Sequence, residues 1–293
     1  MPAVGFVYPN GDKVSFEEVA KGKVDVEKMG MSIPTLMEMS KERDPNRKPS
    51  TTELLVGTCE SFLKRRREYY IDPQDRAFSL AGTMHHSKLE KHEDDRLLIE
   101  EKLEEFDITG IADLYDKETK MLLDYKNTGS YKCSQLLGMT YNMLPDPSGA
   151  LYKVSGKWGR KGTPKMVKSW YKDEGLAEYG DWGWQLNWYR YLLEKKGYEV
   201  DTMYIQITLR DGGLQVAQQK GLDKNIYLIP IPKYDDESLE NKFLEARDSL
   251  VKALKCDNMP NKCTPKETWN GRKCEMYCEV RDLCPHNKGR VNG

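Results

Sequence analysis

The chain has 293 residues, of which 38% are hydrophobic and 32% are charged, and its formal net charge is −1. A chain of this length can bury a substantial core, in one large domain or in one domain with an appendage. Because the whole molecule is not basic, any nucleic-acid surface must be a local patch. No secretory signal and no apolar run of membrane-spanning length are visible, so we expect a cytoplasmic protein without a membrane segment.

Two parts are expected along the chain. Residues 1–49 are polar and weakly periodic, and we expect them to form an N-terminal extension and linker. The main domain, residues 50–293, begins at Ser50-Thr51-Thr52-Glu53, which has the spacing of a capping box. The serine hydroxyl and the glutamate carboxylate can satisfy the free N–H groups of a first turn, so a helix is predicted from here to Arg67.

The main domain is predicted to mix helices and strands. Residues 105–115 and 121–126 have strand-like patterns and a short polar connection between them, which predicts a hairpin. The other predicted elements are a helix around 86–104, a helix over 184–196, strands over 203–209 and 226–231, and a helix over 236–255. This order indicates the α/β class, with a central mixed sheet flanked by helices.

The second strand of the predicted hairpin carries Asp124 and Lys126. Because side chains alternate along a strand, these two share one face, and Asp113 on the preceding strand can converge with them. Two carboxylates and an ammonium in this arrangement suit Mg²⁺ or Mn²⁺, ions that assist the hydrolysis of a phosphodiester. An ordinary surface ion pair on a hairpin is the alternative interpretation.

Other side chains can complete such a site. On a helix, His86 shares a face with Glu90 one turn later, and the pair can add to a metal shell. A solvent-facing ion pair is the alternative, and His85 is the competing candidate. Gln185 and Tyr189 are also one turn apart, and both can hydrogen bond a phosphate.

In their order along the chain, four motifs resemble the RecB-like branch of the PD-(D/E)XK nucleases. The motifs are Gly82 to His86, Gly110-Ile111-Ala112-Asp113, Asp124-Tyr125-Lys126, and Gln185 to Tyr189. The resemblance implies a PD-(D/E)XK core in which Mg²⁺ or Mn²⁺ is bound by His86, Asp113, Asp124 and the carbonyl of Tyr125. It also implies that Lys126 is the catalytic lysine, and that Gln185 and Tyr189 orient the substrate.

An insert over residues 127–183 is longer than a compact member of this family needs. It interleaves cations with aromatic residues: Lys153, Lys157, Trp158, Arg160, Lys161, Lys165, Lys168, Trp170 and Tyr171. Such residues can stack on bases and neutralise the phosphates of a single strand, which makes Trp158, Arg160 and Lys161 candidate substrate contacts. The alternative is a folded surface excursion whose tryptophans form a small satellite core.

The tail, residues 256–288, is rich in cysteine. In a reducing compartment, clustered cysteines are more often metal ligands than disulfides. Four of them can converge on a [4Fe–4S] cluster or on zinc, and their uneven spacing favours the cluster: Cys263, Cys274, Cys278 and Cys284. In many relatives that the tail resembles, the first ligand lies upstream, as Cys59 does here, so Cys59 is the alternative to Cys263. A set with Cys256 is a third possibility, and Cys133 is expected to be a buried thiol.

Together these features predict a Mg²⁺- or Mn²⁺-dependent DNA exonuclease that is stabilised by an iron–sulfur cluster. Its expected partner is DNA with free ends or single-stranded DNA. One alternative is a non-catalytic DNA-binding or assembly module with a structural zinc site. Another is a zinc-stabilised protein-interaction domain, which the colour of the purified protein would distinguish from an iron–sulfur protein.

Overall fold

The structure is a computed structural model and describes residues 3–89, 91, 94–157 and 159–287. Its strands are β1 (Ala3–Val7), β2 (Lys13–Ser15), β3 (Tyr69–Ile71), β4 (Leu97–Glu105), β5 (Ile108–Asp116), β6 (Met121–Thr128), β7 (Met139–Pro145), β8 (Met166–Lys172), β9 (Thr202–Leu209) and β10 (Ile226–Pro230). Its helices are α1 (Phe16–Ala20), α2 (Val26–Met29), α3 (Ile33–Met39), α4 (Thr51–Leu55), α5 (Thr58–Arg66), α6 (Pro73–Leu89), α7 (Ser130–Leu136), α8 (Gly180–Lys195), α9 (Gln215–Gln218), α10 (Asp236–Cys256) and α11 (Arg272–Met276).

The strands form three sheets, and the α/β class with a mixed sheet and flanking helices is confirmed. The largest sheet has the strand order β10-β9-β6-β5-β4, in which β4 pairs with β5 and β9 with β10 in antiparallel register. In the sheet β2-β1-β3, strand β1 is antiparallel to β2 and parallel to β3. Strands β7 and β8 form a separate antiparallel ribbon.

The chain divides into two compact units. The first unit contains residues 1–122, 184–201 and 233–293, and the second contains residues 123–183 and 202–232. Among the described residues, no helix is long and apolar enough to cross a membrane.

Aromatic rings fill the core of the first unit. Trp188 on α8 is fully buried, and its ring stacks on Phe243 of α10 with 4.4 Å between the ring centroids. Tyr191, one turn after Trp188, stacks on the same indole at 5.4 Å. Burying rings of this size is a large hydrophobic contribution, so these contacts fix α8 against α10.

The N-terminal segment is not the separate extension and linker that was predicted. Strand β1 pairs with β3, which lies after residue 50, and residues 1–49 belong to the first unit. Phe6 of β1 and Leu36 of α3 are fully buried. A boundary at residue 49 therefore does not separate two folded parts.

The predicted capping box is confirmed, but the helix after it is shorter than expected. The Ser50 side chain accepts a hydrogen bond from the Glu53 N–H, and the Glu53 carboxylate accepts one from the Ser50 N–H. The helix stops at Leu55, because Gly57 adopts a φ of 109°, a value that L side chains rarely adopt. A second helix, α5, then runs to Arg66.

The helix predicted around residues 86–104 is wrong. Helix α6 begins earlier, at Pro73, and ends at Leu89, and β4 occupies Leu97–Glu105. Gly82 therefore lies inside α6 and does not begin it, while His86 lies in the last turn of the helix. The hairpin, α8, β9, β10 and α10 lie within a few residues of their predicted positions.

The second unit has an apolar core and a ribbon without one. Ile205 and Ile207 of β9 and Leu136 of α7 are buried almost completely. In the ribbon and the segment after it, by contrast, none of the described residues from 139 to 182 is buried. Residues 139–182 therefore contribute no buried core among the described residues, whereas Cys133 and Leu136 near the start of the insert are buried.

Candidate metal centre

Three side chains of the first unit offer ligand atoms to one point. Nδ1 of His86 lies 3.6 Å from Oδ2 of Asp113 and 3.8 Å from Oε1 of Glu100. One ligand atom from each of the three residues lies within 4.8 Å of the other two. Two ligands of an octahedral Mg²⁺ ion are about 3.0 Å apart when adjacent and about 4.2 Å apart when opposite, since each lies about 2.1 Å from the ion. The observed distances therefore fit a small divalent cation.

Two strands and one helix position these ligands. Ile99 pairs with Leu114 and Glu101 with Ala112, so the register places Glu100 opposite Asp113. Side chains at opposite positions of antiparallel strands share a face and lie close together. His86 reaches them from the last turn of α6.

Glu100 has a strained backbone. Its φ is 50°, in the left-handed region, which costs an L residue about 1–2 kcal/mol. Strain of this kind concentrates at functional sites, where the surrounding structure holds it in place. The strain at Glu100 therefore agrees with a functional position for its carboxylate.

Glu100 is the ligand that the sequence did not reveal. The helix predicted over this segment pairs His86 with Glu90, which lies outside the described residues. Strand β4 contains several glutamates, and only its pairing with β5 indicates which of them faces Asp113. An antiparallel register between the two segments was the signal that could have found it.

The glycine of the Gly-x-x-Asp motif makes room for an aromatic ring of the fourth motif. A Cβ atom at Gly110 would lie 2.6 Å from Cε1 of Tyr189 and 2.9 Å from Oγ1 of Thr51. Tyr189 is 4% exposed, and its hydroxyl accepts a hydrogen bond of 3.1 Å from the Gln185 amide. The ring therefore packs directly on the backbone of β5, three residues before Asp113. A role for Gln185 and Tyr189 in orienting substrate stays a prediction.

In the second unit, Asp124 and Lys126 form an ion pair on one face of β6, as the alternation predicts. Nζ of Lys126 lies 2.7 Å from Oδ2 and 3.0 Å from Oδ1 of Asp124. Asp124 is 2% exposed and the Lys126 side chain 18%, so the pair is not an ordinary surface ion pair. The lysine ammonium also lies 5.8 Å from the ring centroid of Trp182. A charge pair that is largely removed from water is costly to keep and is more often functional than an exposed one.

The candidate contacts of the insert are only partly described. Arg160 and Lys161 lie at the far end of the ribbon, and both are exposed. Trp158 lies outside the described residues. Trp170 is half-buried against Tyr141, with 5.0 Å between the ring centroids.

Five cysteines of the first unit line one cavity of about 750 Å³: Cys59, Cys263, Cys274, Cys278 and Cys284. The sulfur atoms of Cys59 and Cys284 are 4.0 Å apart. Cys256 is exposed and is absent from the lining, so a ligand set that uses it does not fit. The structure therefore brings Cys59 and Cys263 to the same place and leaves both as candidates for the first ligand.

The thiols of the cavity have perturbed acidities. A hydrogen bond between Cys59 and Cys263 raises the pKa of Cys59 and lowers the pKa of Cys263 to about 7. Burial raises the pKa of Cys278 to about 11. Metal binding requires thiolates, so a bound metal would have to offset this cost of burial. Cys133, in the second unit, is fully buried as predicted, and burial raises its pKa to about 12.

The spacing of the thiols bears on the kind of metal. Four thiolates around one zinc ion are about 3.8 Å apart, because each Zn–S bond is about 2.3 Å long. Among the described residues, no three of these sulfur atoms lie within 4.8 Å of one another. The sulfur atoms of Cys59 and Cys284, 4.0 Å apart, have the spacing of two ligands on one zinc ion, so the thiol spacing leaves zinc and an iron–sulfur cluster both as candidates.

Comparison of the chain with protein-family models finds no match, and a search of curated proteins finds none either. A function for the chain must therefore be inferred from the chemistry of its candidate metal centre, the Asp124–Lys126 pair and the cysteine cavity.

Proposed function

We propose that the chain is a metal-dependent DNA nuclease with a PD-(D/E)XK core. The observation that carries the proposal is the meeting of His86, Glu100 and Asp113, whose ligand atoms have the spacing that a small divalent cation requires. Oxygen-rich donor sets of this kind suit Mg²⁺ or Mn²⁺. The order of the four sequence motifs supports the same family.

Each side chain has a distinct task in this proposal. When bound, Mg²⁺ or Mn²⁺ supplies Lewis-acid chemistry towards a phosphodiester. His86, Glu100 and Asp113 hold the ion, and the motif resemblance adds Asp124 to them. The Lys126 ammonium neutralises negative charge that develops on the phosphate or orients the attacking water, and Asp124, 2.7 Å away, holds the ammonium in place. Gly110 keeps Tyr189 against β5 and thereby holds Asp113 in position.

We further propose that the cysteine cavity binds a [4Fe–4S] cluster through four of its five thiols. Cys274, Cys278 and Cys284 supply three ligands, and either Cys59 or Cys263 supplies the fourth. Cys59 lies on α5 and the other candidates lie in the tail, so a cluster that includes Cys59 would tie the tail to α5. Metal ligation of this kind contributes directly to the stability of the fold.

A cleavage assay tests the nuclease proposal. Linear end-labelled DNA should be degraded in the presence of Mn²⁺ and not in EDTA, while covalently closed circular DNA should survive. Asp124→Ala should abolish cleavage, and Lys126→Ala should reduce it about 100-fold or more. Lys120→Ala is a matched control, because Lys120 is a surface lysine of the same hairpin that pairs with Glu199. Undiminished cleavage by Asp124→Ala would refute the proposal.

A further inference from the structure

The ribbon concentrates positive charge in a chain that is otherwise slightly acidic. Between residues 139 and 172 there is one acidic residue, Asp146, and there are seven cations: Lys153, Lys157, Arg160, Lys161, Lys165, Lys168 and Lys172. All seven cations are exposed. The Asp146 carboxylate accepts hydrogen bonds from the N–H and the hydroxyl of Ser148 in its own turn. We call residues 139–172 the basic ribbon.

The basic ribbon consists of two long strands with no core. Its register runs from Met139 opposite Lys172 to Pro145 opposite Met166. Backbone hydrogen bonds continue beyond the strands, where the Tyr152 N–H donates to the Thr163 carbonyl at 2.9 Å. A two-stranded hairpin by itself is at best marginally stable in water, so a bound partner would stabilise it.

Two aromatic rings of the basic ribbon contact each other across its strands. Tyr141 and Trp170 are directly opposite in the register, and their rings contact each other. The ammonium of Lys168 lies 4.1 Å from the centroid of the Tyr141 ring. These contacts take up ring surface of Tyr141 and Trp170 on which an unpaired base would otherwise stack.

We propose that the basic ribbon is a DNA-binding arm that enters the major groove of duplex DNA. The major groove is about 12 Å wide and admits a two-stranded β-ribbon. The exposed cations, which lie on β8 and on the segment that joins the two strands, can neutralise phosphates beside the groove. Exposed apolar side chains near the tip, such as Val154 and Leu151, can contact thymine methyl groups. The choice of DNA as the polyanion rests on the proposed nuclease function.

DNA binding, measured under conditions that prevent cleavage, tests whether the basic ribbon is a DNA-binding arm. The full-length protein is titrated, in EDTA, against a fluorescent blunt DNA duplex, its single strand and an RNA duplex of the same sequence. The test variant carries Arg160→Glu, Lys161→Glu and Lys165→Glu. The control variant, with the same change of charge, carries Lys21→Glu, Lys23→Glu and Lys28→Glu at exposed positions outside the ribbon.

We expect the test variant to lose affinity for the DNA duplex at least tenfold and the control to stay within twofold. The slope of log affinity against log salt should fall by about 2.7, since each phosphate contact contributes about 0.9. The RNA duplex, whose deep and narrow major groove excludes the ribbon, should bind more weakly and respond less to the test variant. Because the ribbon has no buried described residue, the test variant should melt at the same temperature as the wild type.

Two results would overturn the proposal that the basic ribbon is a DNA-binding arm. One is a test variant that binds the DNA duplex as the wild type does. The other is an equal or larger loss of affinity for the single strand, which would make the ribbon a single-strand site. If the wild type never cleaves DNA but the test variant loses duplex binding, the nuclease proposal is rejected and the proposal of a DNA-binding arm stands.

Discussion

Gly110→Ala tests how the candidate metal centre is held in place. The added Cβ atom would lie 2.6 Å from Cε1 of Tyr189, about 1 Å closer than an ordinary carbon–carbon contact. Tyr189 is 4% exposed and Thr51 fully buried, so neither neighbour can move into solvent. Overpacking of this kind costs about 1–3 kcal/mol. For a protein of this size, that cost lowers the Tm by about 2–12 °C.

The assay is thermal unfolding, with a matched glycine as the control. A Cβ atom at Gly82 would meet nothing within 4 Å, and this residue lies inside α6. Gly82→Ala should therefore stabilise the protein by about 0.5–1 kcal/mol. In a Tyr189→Ala background, the cost of Gly110→Ala should shrink by about 1 kcal/mol, because contacting residues couple. The reasoning is refuted if Gly110→Ala melts like the wild type, or if its cost is the same in both backgrounds.

Two further predictions concern the cysteine cavity and an acidic residue of the second unit. Cys278→Ala should lower both the metal content per chain and the Tm, whereas Cys256→Ser should change neither. Elemental analysis measures the metal content and thermal melting measures the Tm. A Cys278→Ala protein with full metal content would exclude Cys278 as a ligand. For Asp211, burial raises the pKa, but hydrogen bonds from Ser130 outweigh burial and leave the pKa below its usual 3.8. The carboxylate therefore stabilises the fold above pH 3.8 and loses this effect as the pH falls. Asp211→Asn should lower the Tm at pH 7 by more than at pH 3.5, and an equal decrease at both pH values would contradict the assignment.

Local sequence patterns predicted helices and strands correctly where the conformation that a segment prefers by itself is also the one that its tertiary contacts favour. Side chains point alternately to the two faces of a strand, so the shared face of Asp124 and Lys126 followed once β6 was predicted. The position of helix α8 and the one-turn separation of Gln185 from Tyr189 were predicted correctly, although residues 185–193 are buried on every face of the helix. The capping box at Ser50 specifies a helix start through side chains only three residues apart.

Local patterns failed where pairing with another strand decides the structure. Strand β4 has the sequence Leu-Leu-Ile-Glu-Glu-Lys-Leu-Glu-Glu, which is rich in residues that favour helices. Pairing with β5 overrides this preference, and β-propensity depends strongly on such context. The same pairing brings Glu100 to Asp113, so the missed strand and the missed ligand have one cause. Cys59 is a similar case, because only the fold brings it within 4.0 Å of the Cys284 sulfur.

A titration with Mn²⁺, followed by electron paramagnetic resonance without DNA, tests the central claim most directly. The wild type should bind the ion, and Glu100→Gln should weaken binding at least tenfold. Glu101→Gln is the control, because Glu101 is the next residue of the same strand and its carboxylate pairs with Lys196 at 2.7 Å. The Mn²⁺ affinity of this variant should stay within twofold of the wild type. A wild type that binds no Mn²⁺, or a Glu100→Gln variant that binds it equally well, would contradict a metal centre built from His86, Glu100 and Asp113.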